Sequence, residues 1–330
     1  MKAIIPAAGI GTRLRPHTHT IPKVLMQVAG KPILGHILDE LISLGIKDVT
    51  IIIGYMGDRV KEYLNKKYSQ LKVNFVEQEE RQGLGHAIYL SAKYHSNNEP
   101  VLIILGDTIF KADLKRIVGK KETYIGVKEV EDPKRFGIVE LDGDRIVKLV
   151  EKPSEPKTNL AIVGIYYIWN TKLLFSALNE IVTKGITTKG EYQLTDALQI
   201  MLDKGEVMKF FTIDGWYDCG KAETLLFTNK ELLSQSKSFS FNKNNMKQTV
   251  IIPPVFIDDT VKIKNSVIGP YVSIAEGSNI ENAIVRNSII NENAEIKNIL
   301  LDESIIGDNA CVSGNYYKLN VGDSSEFHIQ

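Results

Sequence analysis

The chain has 330 residues, 43% of them apolar and 24% charged, and its forty basic and forty acidic side chains cancel. That length exceeds what one hydrophobic core normally organises, so two domains are expected. The neutral balance excludes general attraction to nucleic acid or anionic lipid, and any phosphate recognition has to come from locally placed groups.

No apolar run approaches the ~20 residues that span a bilayer, Ala161 to Trp169 being far too short. Met1-Lys2 leads straight into a strand-like run, unlike a signal peptide. Cys219 and Cys311 show neither metal nor disulfide spacing. The expectation is a cytoplasmic protein with two unpaired thiols.

In chain order, Lys2 to Ile5 reads as a strand that runs into a Gly-rich loop. Pro32 opens a helix whose apolar positions Ile33, Ile37, Leu38, Leu41 and Leu44 recur at helical spacing, and Gly45 closes it. Strands follow at Val49–Ile53 and Lys72–Val76, with a helix over 58–68 between them and another over 83–94. Val101 to Leu105 is a near-continuous apolar run, as in a central parallel strand. This repetition predicts a parallel sheet covered on both faces. Beyond Asp107 the order loosens, with strands at 123–129, 137–141, 146–150 and 161–169. A helix at 192–204, a strand at 207–213 and a last helix at 222–233 complete it. The fold class is α/β, with a mixed insertion in the sheet.

Residues 234–248 turn to Ser, Asn and Lys and read as a linker. After them aliphatic residues recur six apart in four triplets: Ile251, Ile257, Ile263; Ile268, Ile274, Ile280; Ile284, Ile290, Ile296; Leu300, Ile306, Val312. This is the hexapeptide pattern of a parallel β-helix, one triangular coil per triplet with an aliphatic residue inward on each face. Such coils bury their cores only by stacking.

The loop Gly9-Ile10-Gly11-Thr12-Arg13-Leu14-Arg15-Pro16 is the strongest chemical signal. Its glycines let backbone N–H groups face phosphate oxygens. Arg13 adds a guanidinium fork, and Lys23 is a second nearby cation. A Walker loop needs Gly-Lys-Ser/Thr at a spacing absent here. A dinucleotide turn wants a small residue where Leu14 stands and an acid about 20 positions on, where Gly30 and Lys31 lie. Hydride transfer is therefore disfavoured. Asp107 and Asp218 each follow a strand, at the edge where α/β sheets bind ligands, and two such carboxylates suit one Mg²⁺.

These segments resemble the sugar nucleotidylyltransferase family: the Gly9–Pro16 loop, Pro22-Lys23 and Lys31-Pro32, then Gln78 with Gly83-Leu84-Gly85-His86-Ala87, and Leu105-Gly106-Asp107. The likeness continues in order through Phe136-Gly137-Ile138-Val139-Glu140, Glu151-Lys152-Pro153, Gly164 and Trp216-Tyr217-Asp218. It implies a Rossmann-like nucleotidyltransferase core with a mixed central sheet over residues 1–235, a linker at 236–250, a short left-handed parallel β-helix at 251–315 and a tail at 316–330. It also implies that Gly9, Gly11, Thr12 and Arg13 cradle a triphosphate. Gln78 and Gly83 then read a pyrimidine, and Gly137, Glu151, Lys152 and Gly164 take the sugar phosphate. Asp107 and Asp218 hold Mg²⁺, and Arg13, Lys23 and Lys152 are the catalytic cations. The implied reaction joins dTTP or UTP to a hexose 1-phosphate, glucose 1-phosphate first. His86 reads as a packing or polar contact, and His17 and His19 as loop residues. The partners expected are these substrates and further copies of the chain through the β-helix, with no nucleic acid or membrane. A bifunctional enzyme that also acylates an amino sugar is disfavoured because 251–312 contain no His. A regulator without chemistry is disfavoured by retention of all five charged site residues.

Overall fold

Strands β1 (Lys2–Pro6), β2 (Asp48–Ile53), β3 (Lys72–Glu77) and β4 (Val101–Ile104) lie parallel in the order β3-β2-β1-β4. The computed structural model describes residues 1–95, 99–236 and 241–315. All four β4 residues are fully buried, which is what an apolar run without alternation means in a sheet covered on both sides. Helix α1 (Ile33–Ser43) follows its predicted spacing and buries Ile33, Leu34, Ile37, Leu38 and Leu41; α2 (Gly57–Lys67) joins β2 to β3. The helix expected over 83–94 stops early, as α3 (Leu84–Leu90) followed by a separate 3₁₀ turn at Ala92–Tyr94.

The sheet then turns mixed. The short strand β5 (Thr108–Lys111) leads on to β6 (Thr123–Glu129), the hairpin β7 (Gly137–Asp142) and β8 (Arg145–Glu151), and β9 (Leu160–Ile168). Strand β9 lies antiparallel to both β4 and β6, and β10 (Met208–Thr212) extends the sheet parallel to β6, giving β4-β9-β6-β10-β8-β7 on that side. Helices α4 (Thr171–Thr183) and α5 (Leu194–Asp203) share a core with α3 and the sheet, through Leu174, Leu178, Leu198 and Met201. The pattern reading missed α4, although Asn170 caps it by accepting from the Leu173 N–H, and it missed β5. Strand β11 (Gly215–Asp218) pairs antiparallel with β5, and α6 (Ala222–Gln235) follows.

The chain divides into two compact units, the first Met1–Met26 with Lys31–Leu225, the second Gln27–Gly30 with the chain from Leu226 onward. Within the second, Asn229 of α6 accepts from the Ala29 N–H and from the Ser273 hydroxyl. Nothing in the sequence anticipated that Gln27–Gly30 would join it.

The C-terminal strands stack in parallel rungs 16 or 17 residues apart, as in Ile263↔Ile280↔Ile296↔Val312, an arrangement consistent with the expected β-helix. Rungs begin within the expected linker, where Met246–Lys247 pair with Ile263–Lys264. Two expected inward positions are corrected. Ile284 and Leu300 are 46% and 60% exposed, while Val285 and Leu301 turn inward. The inward column runs Ile251↔Ile268↔Val285↔Leu301, because the steps from Ile280 to Val285 and from Ile296 to Leu301 are five residues rather than six. Outside it stands an aliphatic column, Val250↔Val267↔Ile284↔Leu300. The corners are left-handed residues, among them Asn265, Asn282 and Asn298, whose amides hydrogen-bond from coil to coil at 2.8 and 3.0 Å. Asn tolerates that backbone better than most residues. The expected tail, with His328, lies outside the described residues.

His95 is buried on Phe175 and shares a 3.1 Å contact with the Thr50 hydroxyl. Burial, with the Lys2 charge adding to it, pulls its pKa down to about 4. The unfolded chain therefore takes up this proton first as pH falls, so stability is lost between the ordinary His value of ~6.5 and about 4. Urea denaturation of wild type and His95→Gln should show that the variant lacks this acid-dependent loss, worth up to about 3 kcal/mol.

Candidate active site

Strands β1 and β4 end side by side, and everything in the site hangs from that edge. The Gly106 N–H donates to the Pro6 carbonyl at 3.0 Å, and a Cβ at Gly106 would sit 2.7 Å from that oxygen, so only glycine fits. The loop after β1 and Asp107 after β4 are thereby brought together. Gly11 takes φ +70°, and its carbonyl accepts from the Leu14 N–H and the Thr18 hydroxyl, which fixes the loop. A Cβ on Gly11 would lie 3.0 Å from the Lys23 side chain, so the glycine also makes room for the lysine stem. Lys23 opens a 3₁₀ turn and is buried, with its ammonium 2.6 Å from Asp107 Oδ2.

A cavity of about 340 Å³ lies here, lined by Gly9, Gly11, Thr12, Arg13, Lys23 and Asp107, with Leu84, Leu105 and Gly220 among its walls. The second aspartate arrives on β11: Asp218 pairs with Thr108, the residue after Asp107, and the Cys219 N–H donates to the Asp107 carbonyl. Gly220 leaves space where a Cβ would be 2.9 Å from Asp218 Oδ1 and 3.1 Å from Arg13 Nη2. Arg13, Lys23 and Asp107, far apart in sequence, thus line one cavity, and Asp218 lies beside its Gly220 wall. Trp216, on the same face of β11 as Asp218, packs edge-on against Phe136.

Gln78 is buried at the end of β3, and its amide donates to the Gly83 carbonyl at 3.1 Å. Gly83 has φ +107°, and a Cβ there would meet the Tyr192 carbonyl at 2.6 Å. Leu84, next in sequence, reaches the cavity wall. His86 is a polar contact, its Nδ1 3.5 Å from the Gln78 amide, and burial lowers its pKa against the opposing charge of Glu80, so it is neutral at pH 7. His17 and His19 fall in a 3₁₀ turn.

The sugar-phosphate candidates form a neighbouring group. Glu151 ends β8 with its side chain 11% exposed, accepting from the Thr195 hydroxyl at 2.7 Å. Gly137 faces that same carboxylate, and a Cβ there would be 2.9 Å from it. Lys152 holds a left-handed backbone at φ +43°, a costly state for a non-glycine residue, with its N–H on the Phe136 carbonyl and its ammonium 3.5 Å from Glu151. Gly164 lies at the register shift of β9, where its φ is +85° and a side chain would collide with Leu105, itself a wall of the cavity. Thr195 and Tyr192 escaped the sequence reading, for they belong to no charged or glycine-patterned motif and lie far off in sequence.

Among the described residues no cluster of three or more His, Cys, Asp or Glu side chains could cage a metal. A pair of carboxylates beside a phosphate loop fits Mg²⁺ nonetheless, because that ion keeps water and takes substrate phosphates as ligands. No helix of the described residues is long and apolar enough to cross a membrane.

Residues 2–235 match the nucleotidyl transferase family model. The chain belongs to that family. It is 30% identical to a glucose-1-phosphate thymidylyltransferase of Streptomyces griseus, over 89% of this chain and 88% of the relative. It is 34% identical to a bifunctional sugar-1-phosphate nucleotidylyltransferase/acetyltransferase of Sulfurisphaera tokodaii, over 89% of this chain and 76% of the relative. The crystal structure of a UDP-glucose pyrophosphorylase complexed with UDP-glucose superposes with a TM-score of 0.61 at 26% identity, covering 71% of this chain and 99% of that one.

Replacing Gly83 by Ala in this family member places a side chain against the Tyr192 carbonyl on a backbone that disfavours it. Chemical denaturation should show a loss of about 1–3 kcal/mol, and an unchanged midpoint would remove the close-approach argument.

Proposed function

We propose that this chain transfers a nucleotidyl group from a pyrimidine triphosphate, dTTP or UTP, to a hexose 1-phosphate, glucose 1-phosphate first. The observation that carries the reading is that Arg13, Lys23 and Asp107 line one glycine-walled cavity, with Asp218 beside its Gly220 wall. The relative named as a glucose-1-phosphate thymidylyltransferase and the UDP-glucose pyrophosphorylase structure complexed with UDP-glucose support the same substrates. The bond formed joins an oxygen of the sugar phosphate to the α-phosphorus, and the bond broken releases pyrophosphate. The attacking oxygen is already anionic, so no general base is required, in keeping with a site built without histidine. The difficulty is to bring two polyanions together and to stabilise the charge that gathers at the α-phosphorus.

Each residue has a share in that task. Gly9, Gly11 and Thr12 offer the backbone of the loop to the triphosphate, while Arg13 and Lys23 neutralise it. Gln78 and Gly83 face the base. Glu151 and Gly137 take sugar hydroxyls, Gly164 shapes the wall behind them, and Lys152 grips the sugar phosphate. Asp107 and Asp218 are the residues that would hold Mg²⁺, which when bound supplies positive charge to the phosphate oxygens.

We divide the chain into a catalytic domain at 1–235, a linker that begins at 236 and gives way at Met246 to the first rung of the β-helix, which runs to 315, and a tail at 316–330. A cytoplasmic setting accords with Cys219 and Cys311, neither of which forms a disulfide. The bifunctional reading finds no histidine to serve as base in the described β-helix. Its outer aliphatic column instead supports self-association.

Pyrophosphate release, measured over a panel of triphosphates and hexose 1-phosphates, tests the reading. Silence throughout, with Mg²⁺ present, would falsify it. In that assay Asp107→Asn and Asp218→Asn should each lower kcat by about 10²-fold or more, as expected for lost charge stabilisation, with unchanged far-UV circular dichroism. Lys152→Ala should raise KM for the sugar phosphate more than KM for the triphosphate. Ile284→Glu with Leu300→Glu should lower the mass seen by light scattering while sparing turnover; an unchanged mass removes the assembly role from this face.

A further inference from the structure

Lys23 and Asp107 are both claimed twice. In the proposed reaction Lys23 faces the triphosphate and Asp107 the divalent cation, yet in this structure they bind each other at 2.6 Å. The lysine side chain is 8% exposed and the aspartate 41%. Such an asymmetric pair has a clear logic. A lysine ammonium with so little access to water needs an anion beside it, whereas a half-exposed carboxylate can still be solvated. The lysine stem is confined by Gly11, whose would-be Cβ lies 3.0 Å from it, and its backbone is held in a 3₁₀ turn. Its head can therefore swing only within the cavity it shares with Gly9, Gly11, Thr12 and Arg13. The second carboxylate oxygen of Asp107 lies beside the Thr108 hydroxyl at 3.4 Å.

We infer that Lys23 acts as a resident cation that occupies Asp107 until a polyphosphate draws it away, so that divalent metal and nucleotide bind cooperatively. This rests on the proposed assignment of Asp107 to the metal. Metal entering alone must displace the ammonium and leave it without an anion. Metal entering with a triphosphate need not, because the phosphates on the glycine loop accept the same ammonium. The free protein is thereby biased against holding metal without nucleotide, and by linkage the nucleotide is held more tightly when metal is present. Lys23 is, in this role, a gate on the carboxylate as well as a contact to phosphate.

The test is a titration with Mn²⁺, followed by the electron paramagnetic resonance of the free ion, on the full chain with and without dTTP and with no sugar phosphate. The dTTP series is corrected for pairing of Mn²⁺ with dTTP in solution. Wild type should bind Mn²⁺ at least tenfold tighter with dTTP than without. Lys23→Met should bind Mn²⁺ alone at least fivefold tighter than wild type, and the tightening by dTTP should fall below threefold. Lys23→Gln, with a polar head, serves if the Met variant melts early. Arg13→Met removes an equal charge from the cavity edge without freeing Asp107, and should keep the tenfold coupling. Coupling that survives in both Lys23 variants overturns the inference, as does its equal loss in Arg13→Met. Failure of every form to bind Mn²⁺ overturns it together with the metal assignment, while pyrophosphate release in the turnover assay judges the transferase reading separately.

Discussion

Charge neutralisation in a confined space is the constraint to which the catalytic unit is built. Two phosphorylated substrates repel each other, and the chain's own charge sums to zero, so attraction has to be local. The fold supplies it by letting β1 and β4 end together, pinned by one hydrogen bond from Gly106 to Pro6. That bond places a flexible-looking loop and an acidic strand end on a rigid base. Strand β11 then brings the second aspartate across from a different region of the chain, and the β5–β11 pairing fixes its distance from the first.

Much of this was legible in the sequence because the signals were strong in kind. A buried parallel strand reads as an unbroken apolar run, as Val101–Ile104 did, and a helix with one apolar stripe reads by its spacing, as α1 did. The glycine loop was legible because Gly11 is needed twice, for its positive φ and for the room it gives Lys23. The hexapeptide repeat exposed the β-helix for the same reason: identical steps produce identical rungs. What failed was finer. Helix α4 was overlooked although Asn170 and the Leu174, Leu178, Ile181 stripe announced it. Ile284 and Leu300 were assigned inward, because a pattern of aliphatic neighbours, Ile284-Val285 and Leu300-Leu301, cannot say which of two adjacent residues faces the core.

Residues that complete the site from elsewhere were harder still. Thr195 supports the Glu151 carboxylate from the first turn of α5, and Tyr192 closes on Gly83 through its backbone carbonyl and nitrogen. A backbone carbonyl has no spelling in the sequence. Gly83 itself is open to two accounts that the geometry joins: its positive φ and the absence of a side chain serve the approach of the 191–193 segment, and the same compactness leaves Leu84 at the cavity wall. Chain packing and the shape of the cavity wall are here served by one atom's absence.

The asparagine corners of the β-helix carry a consequence for how this unit can vary in length. Asn265, Asn282 and Asn298 are linked into a continuous vertical seam, with each member in a left-handed conformation. Adding or removing a whole turn of 16 or 17 residues keeps every seam aligned and merely lengthens the column. A lone inserted residue along a flat side would instead push each later asparagine off its seam and rotate buried aliphatics outward. The change from a 17-residue to a 16-residue turn falls at a corner, where the five steps from Ile268 to Ser273 are matched by four from Val285 to Ile289. Growth and shortening of this unit are therefore quantised in complete turns, with corners as the one place where an odd residue can be absorbed.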